Sequence, residues 1–340
     1  VSPPELVPEP LTGRPLAELG LVEVSGRRRG APLVRVHGLS EDPAYLRALQ
    51  EGVSAAAPAG SAIEVRAADA ERRQAAARAL KAHHRSPGAL GSTTRVYLVG
   101  SGKGGVGKST VTANVAAALA ADGQRVAVLD ADVWGYSQPA LFGVRQPPVA
   151  VPGLMLPVRS QGVRLMSIGF FVDDSEPVLW RGPMLHKALE QFLADVYWGA
   201  DLDVLLVDLP PGTGDVLLTL AGLLPDAGMV VVTTPQTAAR SVAARVGRMA
   251  ARGSLTVTGV VENMSGSVFG SGGGAALAEE LGVPLLAKIP LDEGVCRAGD
   301  RGTPAVLGPA SAAVEALKAL AVSLPAPRRS LVGRSLPLFT

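Results

Sequence analysis

Cysteine is almost absent from this sequence. Cys296 is the single thiol in 340 residues, so no disulfide can form within the chain, and the protein is expected in the cytoplasm rather than an oxidising compartment. Lysine is scarce as well: arginine carries the positive charge except at Lys81, Lys103, Lys108, Lys187, Lys288 and Lys318. No apolar run of roughly 18 residues escapes interruption by Gly, Pro or charge, so no membrane span is expected. The opening "VSPPELVPEP" has neither the basic nor the apolar region of a signal peptide. Charged residues are only 18% of the chain and the formal net charge is +2, which gives neither nucleic acid nor a membrane surface an electrostatic reason to bind. Apolar residues, by contrast, make up 47%, enough for a sizeable core in one large and one smaller domain.

Residues 1–85 read as a small α+β domain. "GRPLAELGLV" suggests a short helix, and two strands flank the turn-forming "SGRRRGAP". Two helical segments, "DPAYLRALQEGVSAAA" and the arginine-rich "AADAERRQAAARALKAHH", bracket the β-leaning "SAIEVRA"; the arginines suit a solvated helix face. A stretch rich in Pro, Gly and Ser with no apolar period makes 86–94 a linker.

The pattern changes over 95–322. Short, nearly continuous β-branched runs ("RVYLVGSG", "RVAVLDAD", "LDVLLVDLP", "AGMVVVTTP", "SLTVTGVVENM", "VPLLAKIP") alternate with helical segments. Strands of that kind are buried on both faces, and their alternation with helices predicts an α/β fold, a mostly parallel sheet flanked by helices. The segment 144–180 breaks the rhythm and reads as a β-hairpin insertion. Residues 323–340 read as a poorly ordered tail.

One motif carries chemistry. "GSGKGGVGKST" follows the strand "RVYLV" and opens the helix "STVTANVAAALA". Glycine-rich turns let backbone N–H groups close around phosphate oxygens, and the helix N-terminus adds partial positive charge. Gly102, Gly104, Gly105, Val106 and Gly107 form that loop, Lys108 reaches the β and γ phosphates, Ser109 ligates Mg²⁺ and Thr110 lies beside the α phosphate. Asp130 and Asp132 end one strand and Asp208 another, on the edge where open α/β sheets bind ligands. Asp208 fits the carboxylate that holds Mg²⁺ through water. Two readings compete for Asp215: a cap on the helix "VLLTLAGLL", or a site residue.

The second lysine of the loop, Lys103 in "KGGVGKS", resembles the deviant Walker A signature shared by nitrogenase iron protein, MinD, ParA and the Mrp-type iron–sulfur cluster carriers. "DADVWG", "WRGPMLHKALEQFL", "DLPPGTGD", "TTPQTAARSVA", "VVENMS" and "FGSGGGAALAEELGVPLLAKIPLD" resemble the Mrp-type branch across nearly all of 95–305. That resemblance implies a P-loop NTPase of the SIMIBI type, an ATP-switched homodimer in which Lys103 reaches the partner's phosphates. It also implies catalytic roles for Lys103, Lys108 and Asp132, with Asp132 positioning the attacking water. Asp130 would be an outer partner of Mg²⁺, and Asn263 would read the adenine edge, a turn or cap being the competing role. The N-terminal unit resembles the MIP18-like domain often fused ahead of such carriers.

The resemblance implies an iron–sulfur cluster as cargo and apo iron–sulfur proteins as clients. Mrp-type carriers place a C-x-x-C pair between "ENMS" and "FG"; this chain reads "ENMSGSVFGSGGG". Four thiolates hold a typical cluster, and two copies of this chain supply two. Three readings stay open: a carrier whose partner or a small thiol completes the coordination, a cluster-free regulatory or scaffold ATPase acting on another protein client, and a protein that only binds nucleotide. Cys296 is either a small buried apolar residue or a thiolate donor.

Overall fold

The computed structural model describes residues 3–26, 32–83, 90, 93–172, 182–199, 201–253 and 255–327. Contacts divide the chain into two units. One comprises residues 1–92, 146–159 and 191–201, and the other 93–145, 160–190 and 202–340.

In the first unit, β1 (Val22–Ser25) runs antiparallel to β2 (Leu33–Gly38), and after α1 (Pro43–Ala56) the chain returns as β3 (Ala62–Ala67), parallel to β2. The helix α2 (Ala70–His83) follows. Asp42 starts α1 by accepting the Tyr45 N–H at 2.8 Å, with Pro43 in the first turn, where its missing N–H costs nothing. Tyr45, Leu49 and Val53 recur every four residues and form the buried stripe of α1. They join Leu16, Leu21, Val34, Val36 and Leu39 in the core, where each fully buried Leu or Val is worth about 1.5–3 kcal/mol.

Two expectations change here. Residues 16–20 make consecutive turns rather than a helix, Leu16 and Ala17 donating their N–H groups to the Val7 and Glu5 carbonyls; just before them the buried Glu9 carboxylate accepts the N–H groups of Leu11 and Thr12 and the Tyr45 hydroxyl. The predicted hairpin exists as β6 (Val149–Val151) and β7 (Leu154–Leu156), numbered by chain position, and its Val151, Leu154 and Leu156 complete this unit's core. The turn residues 27–31, and most of the predicted linker, lie outside the described residues.

The second unit holds seven strands, and the last residue of the eighth, of a sheet in the order β13-β12-β11-β4-β10-β5-β9-β8. The strands of this sheet are β4 (Arg95–Ser101), β5 (Val126–Asp130), β8 (Val158–Ser160), β9 (Val163–Ser167), β10 (Val204–Asp208), β11 (Gly228–Thr233), β12 (Thr256–Ser265) and β13 (Leu285–Pro290). From β13 to β9 all neighbours pair parallel. Every residue of β5, β9, β10 and β11 is buried, the burial that their continuous apolar runs predicted. The later half of the presumed insertion, Val163–Ser167, is therefore a core strand.

The helices are α3 (Lys108–Ala121), α4 (Gln138–Leu141), α5 (Gly182–Ala194), α6 (Asp215–Leu223), α7 (Thr237–Arg252), α8 (Gly273–Leu281), α9 (Glu293–Asp300) and α10 (Ala312–Ser323). The short α4 and the last two were not anticipated. Asp292 caps α9 and Ser311 caps α10, each a legible helix-start signal in hindsight. The expected tail is anchored at its start, because the Tyr97 hydroxyl donates to the Pro325 carbonyl at 3.1 Å; residues 328–340 lie outside the described set. Among the described residues no helix is long and apolar enough to cross a membrane.

Candidate active site: a phosphate loop over buried carboxylates

Two glycines of the loop between β4 and α3, Gly102 and Gly107, stand where bulk is excluded. A Cβ on Gly102 would enter the α7 backbone at Val242 and Ala243. Gly107 sits in the left-handed region at φ 79°, and a Cβ there would strike the Asn263 amide. Gly104 and Gly105 face open space. Asn263 Nδ2 donates to the Val106 carbonyl at 2.9 Å, so the end of β12 clamps the loop.

Strand register delivers the carboxylates. Asp208 at the end of β10 pairs across from Asp130 at the end of β5, while β4 on its other side runs straight into the loop. Lys108, the first residue of α3, is 6% exposed; its ammonium donates to Asp208 Oδ1 at 2.5 Å and to Ser109 Oγ at 3.2 Å. Asp208 is fully buried, and its second oxygen accepts from Gln138 Nε2 at 2.8 Å.

Asp130 is fully buried too, and its carboxylate closes the turn that follows β5. It accepts the backbone N–H groups of Asp132, Ser137 and Gln138 and the Ser167 hydroxyl, at 3.0–3.2 Å. Burial, and next the charge of Asp208, push its pKa up to about 7. Asp132 accepts the Gly135 N–H at 3.0 Å. Burial raises its pKa too, opposed by the Lys108 charge.

Above these groups opens a cleft of about 470 Å³, lined by Lys103, Gly104, Gly105, Lys108, Ser109, Thr110 and Asp132 together with Trp134, Pro210 and Pro211. Asp130, Asp208 and Asn263 are not among its walls. Lys103 is exposed at the rim, its carbonyl held by the Ser101 hydroxyl. Gly212, at φ 94°, donates its N–H to the Ser101 carbonyl at 2.8 Å and ties the "PPGTG" loop to the phosphate loop.

Other expectations are corrected. Asp215 lies in the first turn of α6, with Gly214 at the cap and no side-chain capping bond, so it complements the helix dipole instead. Cys296 is exposed on α9, not buried. The "SGSVFG" segment closes on itself through two backbone hydrogen bonds between Gly266 and Gly270, leaving Val268 69% exposed. Among the described residues no group of three or more His, Cys, Asp or Glu side chains is arranged to hold a metal.

Sequence reasoning missed Gln138, Ser167, Trp134 and Glu262. Trp134 is 70% exposed at the cleft mouth. Glu262, fully buried, accepts the Gly272 and Gly274 N–H groups at the start of α8. "YSQPAL" did carry a signal, a serine and a proline at a helix start, but nothing in it located the glutamine side chain.

The donor set fits a magnesium nucleotide. It has glycines at Gly102 and Gly107 where only glycine fits, a buried ammonium at a helix N-terminus, a hydroxyl beside it and carboxylates at the strand ends. Parallel sheet, loop and carboxylates together define a P-loop NTPase. Residues 92–324 match the family model of the NUBPL iron-transfer P-loop NTPases, and the chain belongs to that family.

Relatives agree. An iron–sulfur cluster carrier protein from Mycobacterium bovis is 52% identical over 263 residues, covering 73% of this chain and 69% of that one. A carrier protein of the same description from Synechocystis is 45% identical over 249 residues, 68% of this chain and 70% of its own. Among solved structures, a nucleotide-binding protein from Archaeoglobus fulgidus in complex with ADP superposes with a TM-score of 0.55 at 36% identity, over 63% of this chain and 89% of that one. The septum site-determining protein MinD from Pyrococcus horikoshii, complexed with Mg-ADP, gives 0.53 at 26%, over 67% and 94%.

Proposed function

We propose that the protein binds and hydrolyses ATP and carries iron–sulfur clusters to apo-proteins, switching as a cytoplasmic homodimer. The observation that carries this reading is the buried Lys108–Asp208 pair beneath an open phosphate loop, in a chain 52% identical to an iron–sulfur cluster carrier.

Lys108 and the loop N–H groups hold the phosphates, and Lys103, exposed at the rim, reaches the phosphates of a second copy. Ser109 and Asp208 would hold Mg²⁺, which when bound offsets charge on the phosphates. Asp132, on the cleft wall, orients the attacking water. Asn263 holds the loop and lies at the strand end suited to the adenine. Asp130 acts on the ion through the turn it closes. Hydrolysis is slow, since the site positions and neutralises but offers no covalent chemistry.

Cluster carriage is transient in this reading. One exposed Cys296 per chain gives a dimer two thiolates, and a partner or a small thiol completes the four. Measuring iron and acid-labile sulfide per dimer after anaerobic reconstitution, in the native protein and in Cys296→Ala, tests it. A cluster lost with Cys296 supports the reading. ATP hydrolysis with no bound iron would overturn carriage and leave an ATPase acting on a protein client.

A further inference from the structure

Gln138 is the first residue of the short α4, and nothing in its side chain reaches solvent. Both carboxamide N–H donors are spent inside the site, one on Asp208 Oδ2 at 2.8 Å and one on the Ser109 carbonyl at 3.1 Å. Its own backbone N–H donates to Asp130 at 3.0 Å. One residue thereby joins three segments of the site: the turn after β5, the end of β10 and the start of α3.

The same carboxamide has a buried Oε1 with no hydrogen-bond partner. Buried acceptors without donors are rare, so this oxygen calls for a partner. An incoming water bound to a divalent cation is a strong donor of the kind this oxygen lacks.

Asp208 divides its two oxygens between different partners. Oδ1 accepts from the Lys108 ammonium, which also donates to Ser109 Oγ, and from the Thr112 hydroxyl at 3.4 Å; Oδ2 accepts from Gln138 Nε2. We propose that Gln138 is the positioning residue for the metal of the magnesium nucleotide. It fixes the orientation of Asp208, supplies an acceptor to the water shell and links the ion to the turn closed by Asp130. This role rests on the nucleotide reading of the site.

The test separates metal from nucleotide. Fluorescent mant-ADP is titrated into native protein, Gln138→Met and Gln138→Glu, once with excess Mg²⁺ and once in EDTA, with thermal melts alongside. Gln138→Met keeps the length and removes every donor; Gln138→Glu keeps the shape but sets a carboxylate against Asp208.

Both variants should lose about 10–100-fold in the affinity gained from Mg²⁺, the usual cost of removing a partner of a metal ligand, while EDTA affinity stays within about 3-fold. An unchanged Mg²⁺ gain in both would overturn the role, as would equal losses with and without Mg²⁺ that follow the melting temperature. A native protein that binds no mant-ADP in either condition would overturn the nucleotide reading itself, and this role with it.

Discussion

Lys108 and Asp208 stand 100 residues apart in sequence and form an ion pair of 2.5 Å, with 6% and 0% of their side chains exposed. Such a pair is costly to break from one side, because the survivor keeps its charge and loses its partner. Lys108→Met should destabilise the ligand-free protein by about 3–5 kcal/mol in urea unfolding, and adding Asp208→Asn should recover much of that loss. A single variant as stable as the native chain would show that the pair is not holding the site.

The two loop lysines should separate by function. Lys108→Ala should abolish nucleotide binding. Lys103→Ala should spare it and lose ATP-dependent dimer closure, read by mant-ATP titration and light scattering. Equal loss of binding in both would contradict the assignment of Lys103, exposed at the rim, to the partner's phosphates.

Glycines in the same loop should respond differently to one methyl group. Gly104→Ala meets nothing and should leave the ligand-free melting point nearly unchanged, within about 0.5 kcal/mol. Gly107→Ala pays about 1–2 kcal/mol for the left-handed backbone and a further penalty against Asn263. Adding Asn263→Ala should remove the second part only, as a double-mutant cycle would read.

His37 gives the first unit a pH dependence. It is 1% exposed on β2; burial, then Arg72 and Arg66, lower its pKa below 6.5, against the weaker pull of Glu23 and Asp69. The unfolded chain therefore takes up a proton below about pH 6.5 that the folded one refuses. Its stabilising contribution is complete above that pH and is lost as pH falls toward the folded pKa, by at most about 1.4 kcal/mol per pH unit. His37→Leu should flatten the stability change between about pH 7 and pH 5; an unchanged slope in chemical denaturation would refute this.

Glu262 holds the start of α8. Glu262→Ala should strand the buried Gly274 N–H and expose that of Gly272, costing about 1–3 kcal/mol, with faster amide exchange at both glycines. Exchange unchanged at those two positions would show that water replaces the carboxylate.

Local signals explain why so much of the site was legible in the chain. "GKGGVGKST" specifies its own backbone path, and uninterrupted runs such as "VLLVD" can only be strands covered on both faces. The misreadings share a cause. Val163–Ser167 was assigned to an insertion because no run of residues states which strand will lie beside it, and it pairs with β5. Residues 16–20 looked helical, but Leu16 and Ala17 donate their N–H groups to the distant carbonyls of Val7 and Glu5 instead of along a helix.

Sequence alone determined the loop, its lysines, the carboxylates at the strand ends and the alternation that makes a parallel sheet, because each is written in consecutive residues. Tertiary structure decided the rest. Parallel register set Asp208 beside Asp130, the turn after β5 carried Gln138 to both Asp208 and Ser109, and the end of β12 brought Asn263 onto the loop. Those partners lie 29 to 157 residues apart, and only the assembly of the sheet brings them together.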